Sequence, residues 1–313
     1  MQYVKRLEEN GLPVIFDRDH LAYILGIRPQ ELTYLISKPE RHYSSFRVKK
    51  RRGGYRVIDA PSFLLKCIQR WILDEVLAHV AVSDYAFGFI ENRSILDNAA
   101  RHLNKHCVVG IDIKDFFPSI SSDSVFRLFY YCGYTKEVSF YLSRLCTFQE
   151  HLPQGAPTSP YISNIVFLKA DKRLAGLSKA YGADYSRYAD DITFSGKGNL
   201  INILQPAEKI LAEEGFMLNK RKTRVAFSHQ KQEVTGLLVN GDKIRVPKSY
   251  KRRLFQEIYY CSKYGVEGHM HYRKTDKAFY KDHLYGKAYY LFMIEPEVGK
   301  KALLSLDAID WAY

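Results

Sequence analysis

The chain has 313 residues, 46% hydrophobic and 26% charged, and its 47 lysines and arginines against 34 acidic residues leave a net charge of +13. That length suits about two domains or sub-domains, and the charge favours a polyanionic partner such as nucleic acid. No apolar run approaches the roughly 20 residues of a membrane span, the first nine residues lack the apolar core of a secretory signal, and five scattered cysteines without a CxxC pair disfavour zinc or a disulfide framework and predict a cytoplasmic setting.

In chain order, residues 1–40 predict short helices, with 19–26 a small amphipathic unit and 29–37 another that starts on proline. Residues 46–50 and 55–59 flank Arg51-Arg52-Gly53-Gly54 and predict a hairpin with a glycine turn. After Pro61, Leu64, Leu65, Ile68, Trp71, Ile72, Val76 and Leu77 recur at helical spacing. Residues 107–113 read as a buried strand, 122–132 and 136–148 as helices, and 160–177 as one long helix. Residues 185–188 and 192–195 predict a hairpin, 201–214 a helix, and 223–228 and 234–239 strands, with 243–246 folding back across Asn240-Gly241. From Lys248 to Tyr313 the pattern is helical. The expected fold class is α+β, with a helical appendage on each side of a sheet.

Tyr188-Ala189-Asp190-Asp191 forms the turn of the second hairpin, and Asp112-Ile113-Lys114-Asp115-Phe116-Phe117 ends the buried strand. A carboxylate closing an apolar run is costly unless it pairs with a cation, and a lysine partner or a metal both meet that need. Two adjacent carboxylates with a third on another strand suit a two-Mg²⁺ phosphoryl-transfer site, because Mg²⁺ takes hard oxygen ligands and a metal pair serves both the attacking and the leaving oxygen. Neighbouring strand residues face opposite ways, so Asp190 is expected to be the stronger ligand and Asp191 the auxiliary one. Leu152-Pro153-Gln154-Gly155-Ala156-Pro157-Thr158-Ser159-Pro160 predicts a stiff loop in which Gly155 permits close backbone approach and Thr158 or Ser159 caps the next helix. The histidines His102, His106, His151, His269, His271 and His283 lack metal-ligand spacing and are expected to be structural or RNA-contacting. Basic residues gather at 47–56, 220–224 and 243–253, the last running into Tyr250, Tyr259, Tyr260, Tyr264, Tyr272, Tyr280, Tyr285, Tyr289 and Tyr290. Cations among aromatics suit an RNA surface, although at least half of these tyrosines are expected in helix cores.

Asp112 with Phe116-Phe117, the LPQGAPTSP loop, YADD, and Gly215-Phe216-Met217-Leu218-Asn219-Lys220-Arg221-Lys222-Thr223 stand in the order of the reverse-transcriptase motifs, over about residues 45–245. The resemblance implies a right-hand polymerase with fingers and palm over 1–240 and a helical, RNA-binding thumb over 241–313. It further implies that Asp112, Asp190, Asp191 and the Ile113 carbonyl hold two Mg²⁺ ions. Lys49 (or Lys50) and Arg56 would clamp the dNTP triphosphate, with the Asp115 and Phe116 backbone beside it. Phe117 would exclude a 2′-hydroxyl, Gln154 would line the nucleotide pocket, and Lys222 (less so Lys220) would act as general acid by the pyrophosphate.

Asn98-Ala99-Ala100-Arg101-His102 and Val234-Thr235-Gly236 resemble the NAxxH and VTG elements of retron enzymes, and Gly286-Lys287-Ala288-Tyr289-Tyr290-Leu291 with Pro296-Glu297 resembles their thumb. The implied partners are a structured non-coding RNA, dNTPs, the msDNA product primed from a guanosine 2′-hydroxyl, and an effector protein in antiphage defence. No RNase H or endonuclease domain is expected after Tyr313. Asn98, His102, Val234, Thr235, Gly236, Lys248, Lys251, Arg252 and Arg253 are the candidate RNA contacts. The alternatives are a group II intron-like or diversity-generating reverse transcriptase, a template-independent polymerase, and a non-catalytic RNA-binding scaffold.

Overall fold

The computed structural model describes residues 2–50, 53–274 and 279–311; Arg51 and Arg52 of the expected glycine turn, and Tyr313, lie outside them. Three short helices open the chain: α1 (Gln2–Glu9), α2 (Arg18–Ile24), capped by the Asp17 carboxylate, and α3 (Pro29–Ser37). The first hairpin follows as expected, β1 (Tyr43–Lys49) antiparallel to β2 (Tyr55–Pro61). Then come α4 (Phe63–Trp71), which runs on into a π-helical turn at Ile72–Val76, and α5 (Ile95–Ala100).

The central strand β3 (Cys107–Lys114) is buried along nearly its whole length. After it α6 (Ser122–Cys132) and α7 (Lys136–Cys146) pack as a pair. The helix expected over 160–177 is instead two, α8 (Ser159–Val166) and α9 (Leu168–Ala180), divided at Phe167. No glycine or proline marks the break. The fully buried Phe167 ring packs there on Phe116 and Phe216, a tertiary anchor that periodicity does not register. Thr158 is the N-cap residue of α8 but makes no side-chain capping bond, contrary to expectation.

β4 (Ala183–Tyr188) and β5 (Asp191–Gly196) form the second hairpin, α10 (Leu204–Glu213) covers the sheet, and β6 (Met217–Leu218) and β7 (Arg224–Phe227) complete it. The strand order is β4-β5-β3-β6, with β7 also paired to β3, and every pairing is antiparallel. The strand expected over 234–239 is a minute hairpin, β8 (Glu233–Val234) with β9 (Leu237–Leu238). Thr235 and Gly236 both have positive φ (47° and 83°), the type I′ pattern that reverses a strand in two residues. Leu238 then pairs with Arg245, as the Asn240-Gly241 turn suggested. Helices α11 (Lys248–Tyr264), α12 (Val266–Arg273), α13 (Tyr280–Ile294) and α14 (Pro296–Asp307) end the fold.

Among the described residues most of the buried apolar side chains fall into two clusters. One spans Leu7 to Phe216 and joins the N-terminal helices to one face of the sheet. The other is built from residues 234–309 and reaches back to Ala99 on α5 and Val108 on β3. β3 therefore serves both: Cys107, Val109, Ile111 and Ile113 point into the first core, and Val108 into the second.

Candidate active site

Asp112 lies on the same face of β3 as Val108, two pairs further along, where the second core no longer covers the strand. It is 6% exposed, and protein donors meet both its oxygens: Lys222 Nζ donates to Oδ2 (2.7 Å) and Asn219 Nδ2 to Oδ1 (3.0 Å). The Asn219 N–H also donates to the Asp112 carbonyl (2.8 Å), fixing the 219–223 turn against the strand. The lysine partner that a buried carboxylate requires is thus Lys222, the residue expected beside the pyrophosphate. Asn219 carries no signal at the sequence level beyond its place in the motif.

Asp191 starts β5 and pairs in register with Asp112 across the strands, while Asp190 stays in the turn. Tyr188 pairs with Asp191, so Ala189 and Asp190 are the two turn residues; Ala189 takes φ 56°, the one positive φ of a type II′ reversal. The Ile113 N–H donates to the Asp190 carbonyl (3.0 Å), clamping the turn to β3. Burial and then the Asp112 charge raise the Asp190 carboxyl above its ordinary value. Burial and then Asp190 push Asp191 up to about 6, with Arg224 the first of the groups opposing that rise. The three carboxylates are close enough to repel one another. Among the described residues no three acidic, histidine or cysteine side chains already form a closed cation cage. Hard oxygen donors whose mutual repulsion a divalent cation would relieve nonetheless fit such an ion.

The turn is held from behind by residues that the sequence did not single out. Arg187, fully buried, pairs with Asp171 (2.7 Å), meets Asn164 Oδ1 (3.0 Å), lies over the Phe167 ring, and donates to the Ala189 carbonyl (3.1 Å). Tyr85 and Phe87 bond the Arg187 backbone along the outer edge of β4, and a Cβ on Gly88 would stand 2.7 Å from the Ala189 nitrogen.

Asp112 and Asp191 open on a cleft of ≈ 800 Å³ that Lys49, Lys50 and Arg56 of the first hairpin also line. Arg56 pairs with Val48, so it shares a face with Val48 and Lys50, whereas Lys49 pairs with Tyr55 on the opposite face. The register therefore favours Lys50 over Lys49 as the partner of Arg56. Asp115 is exposed at φ 47°; Phe116 is buried, its ring packed against Phe167 and Phe216. Phe117 is partly exposed between Phe116 and the exposed Phe89, another residue the sequence did not flag. The Gln154 carbonyl accepts from the Asp59 N–H (2.9 Å), and a Cβ on Gly155 would stand 2.7 Å from the Asp59 carbonyl oxygen. That is the close approach expected of Gly155, and it seats the loop against β2.

Residues 48–240 match the family described as reverse transcriptase (RNA-dependent DNA polymerase). The chain is 36% identical over 95% of its length to the retron Mx65 reverse transcriptase of Myxococcus xanthus, covering 72% of that protein. It is 31% identical over 82% of its length to the retron Ec86 reverse transcriptase of Escherichia coli, again covering 82% of the relative. The chain belongs to the retron reverse transcriptases. It is an RNA-directed DNA polymerase with an α+β polymerase fold. Among solved structures, telomerase from Candida albicans with a fragment of telomeric RNA aligns with 91% of this chain and 61% of that one, at 12% identity and a TM-score of 0.47. That likeness is too loose to bear on the site.

The retron-like elements of this reverse transcriptase do not all face solvent. His102 is fully buried, and its ring nitrogens sit 2.7 Å from Ser195 Oγ on β5 and 2.6 Å from Ser186 Oγ on β4. Asn98 and Val234 are buried as well. These three cannot touch RNA from the interior, and His102 is instead a staple across the hairpin that carries YADD. Lys251 is also engaged, its Nζ donating to both Glu295 oxygens (2.9 and 2.8 Å). Lys248, Arg252, Arg253 and Gly236 are exposed, with Thr235 partly so. Of the nine tyrosines named above, Tyr280 is buried, Tyr259, Tyr264, Tyr272 and Tyr289 are exposed, and the others lie between.

The His102 staple predicts a stability effect. Burial pushes its imidazole down to about 3, below the ordinary value of about 6.5. The unfolded chain then binds the extra proton, so stability is unaffected above about pH 6.5 and declines as pH falls from there towards 3. His102→Ala leaves two buried hydroxyls unpaired, lowers stability by about 1–3 kcal/mol, and removes that acid-side decline while RNA binding holds. Thermal melts between pH 5 and 8 read both effects; weakened RNA binding with unchanged melting would return His102 to the RNA surface.

Proposed function

We propose that this reverse transcriptase binds a structured non-coding RNA of its own retron, primes from a guanosine 2′-hydroxyl in it, and extends with dNTPs to give branched, RNA-linked single-stranded DNA. The observation that carries the reading is the meeting of Asp112 and Asp191 at one basic cleft, with Asp190 close enough to feel the Asp112 charge, in a chain related over most of its length to retron enzymes. The three aspartates, with the Ile113 carbonyl, are the ligands we assign to two Mg²⁺ ions. When bound, that pair lowers the barrier to phosphoryl transfer by charge stabilisation at the attacking and leaving oxygens. Lys50 and Arg56 then take the triphosphate as charge-assisted donors, and the Asp115–Phe116 backbone lies beside it. Gln154 borders the base, and Lys222 stands where a proton can pass to the departing pyrophosphate. Lys248, Arg252 and Arg253 offer exposed cations to RNA phosphates. By analogy with retron systems, a partner effector protein and a role in antiphage defence complete the proposal.

Sequencing the nucleic acid that co-purifies with the protein tests this directly. The expected product is DNA complementary to part of one bound RNA and joined to it through a 2′–5′ linkage. Linear DNA unrelated to the RNA would reject both the retron role and templated synthesis. A narrower test concerns Phe117, partly exposed where a sugar would lie. Phe117→Ala is expected to raise ribonucleotide incorporation by about tenfold or more, the size of a lost steric discrimination of 1–3 kcal/mol. An unchanged dNTP-to-rNTP ratio would remove Phe117 from that role.

A further inference from the structure

One face of β3 forms a track from the second core to the catalytic centre. Val108 is sealed by that core, Asp112 opens to the cleft, and Lys114 is exposed. Gly110 lies between Val108 and Asp112, and the room left by its missing side chain is taken by Arg224. The two residues are register partners in the β3–β7 pair. A Cβ on Gly110 would stand 2.7 Å from Arg224 Nε and 3.0 Å from its Cγ, so the arginine side chain lies flat across the strand on the course that glycine allows. Arg224 is exposed and shares the cleft with Asp112 and Asp191, and its charge acts on Asp191 without a salt bridge to it among the described residues.

A guanidinium laid over the catalytic strand, near enough for Asp191 to feel its charge but held by no salt bridge among the described residues, is suited to a phosphate, which it can meet with two parallel hydrogen bonds. Position decides which phosphate. Gly110 is two residues from Asp112, about 7 Å along the strand, or roughly two nucleotide steps at about 3.4 Å of rise per step. It lies on the side of Asp112 away from Asp115 and Phe117, where the incoming nucleotide is assigned. We infer that Arg224, guided by Gly110, grips a backbone phosphate of the growing DNA strand within its last two linkages. The assignment rests on the polymerase reading above, and makes Arg224 a substrate-positioning residue of that reaction.

The test uses the full chain with a DNA primer annealed to an RNA template, in two readouts. Binding is followed by fluorescence anisotropy over a salt series, which needs no turnover and so can fail independently of polymerase activity. Arg224→Ala is expected to weaken duplex binding about tenfold, the scale of one charge-assisted hydrogen-bonded contact, and to flatten the slope of log K against log salt by about 0.7–0.9, one phosphate's worth. Steady-state extension should show the KM for the duplex rising while the KM for dNTP stays put. Gly110→Ala, which displaces the arginine without removing it, is expected to reproduce both effects, and Arg224→Lys to recover part of the binding. An unchanged salt slope in Arg224→Ala, or a rise in the dNTP KM in place of the duplex KM, would overturn the assignment. Because Arg224 is exposed, melting temperatures equal to wild type verify that the binding loss is local.

Discussion

Asp190→Asn with Asp191→Asn is expected to abolish deoxynucleotide incorporation while leaving RNA binding within a fewfold of wild type. The substitutions remove two of the three carboxylates assigned to the metal pair. That pair supplies several kcal/mol of transition-state stabilisation, so the loss is at least about a thousandfold in rate. RNA affinity should persist because phosphate contacts come from lysine and arginine, and Lys248, Arg252 and Arg253 remain exposed. The same variant carries a second expectation, of opposite sign. Asp191 sits at about 6, raised by burial and by Asp190, so its ionisation at neutral pH opposes folding when no divalent cation is present. In EDTA the double variant should melt above wild type at pH 7.5, and the gap should close as pH falls through 6 and the wild-type carboxyl takes up its proton. Primer extension and melting in EDTA read the two effects. Continued extension by the double variant would sink the catalytic assignment, and a lower melting temperature would sink the electrostatic one.

Breaking the Arg187–Asp171 pair should cost more stability than any other single change to the palm. Both side chains are fully buried, and Tyr185 Oη also donates to Asp171 Oδ1 (2.6 Å). Asp171→Asn or Arg187→Met leaves one charge buried without its partner, at about 3–5 kcal/mol. The double replacement Arg187→Met with Asp171→Leu, apolar throughout, should recover much of that loss. It should not recover activity, because the Ala189 carbonyl has lost its donor and Ala189 holds a positive φ that its surroundings must maintain. Denaturant unfolding gives the first quantity and single-turnover extension the second. Full activity in the stable double variant would mean that Arg187 serves packing alone.

The elements that carry the chemistry were largely legible in the chain. Apolar runs ended by charges located β3, β4 and β5, and the glycine at Gly53-Gly54 located the first hairpin. The aspartates stood out because an acid at the end of a buried strand demands a cation. Other features were hidden because their partners are remote in sequence. Asn219 and Lys222 reach Asp112 from 107 and 110 residues away, and His102 meets Ser195 from 93. Nothing in Asn98-Ala99-Ala100-Arg101-His102 tells whether its polar groups face RNA or a pair of serine hydroxyls. The division at Phe167 escaped for the same reason, since a buried aromatic does not announce a break by itself. The reversal at Thr235-Gly236 is local, but one glycine after a β-branched residue does not fix where a short run turns back.

The sequence alone therefore determined the chemical character of the molecule: its surplus of cations, its acids placed at strand ends, and the family whose motif order it shares. Only the tertiary structure decided which of those polar groups meet the cleft and which vanish into the interior. The reason is that a side chain's surroundings are set by the strand or helix laid against it. Gly110 became a course for Arg224, and His102 a staple beneath YADD, only once β7 and the β4–β5 hairpin had come to rest beside them.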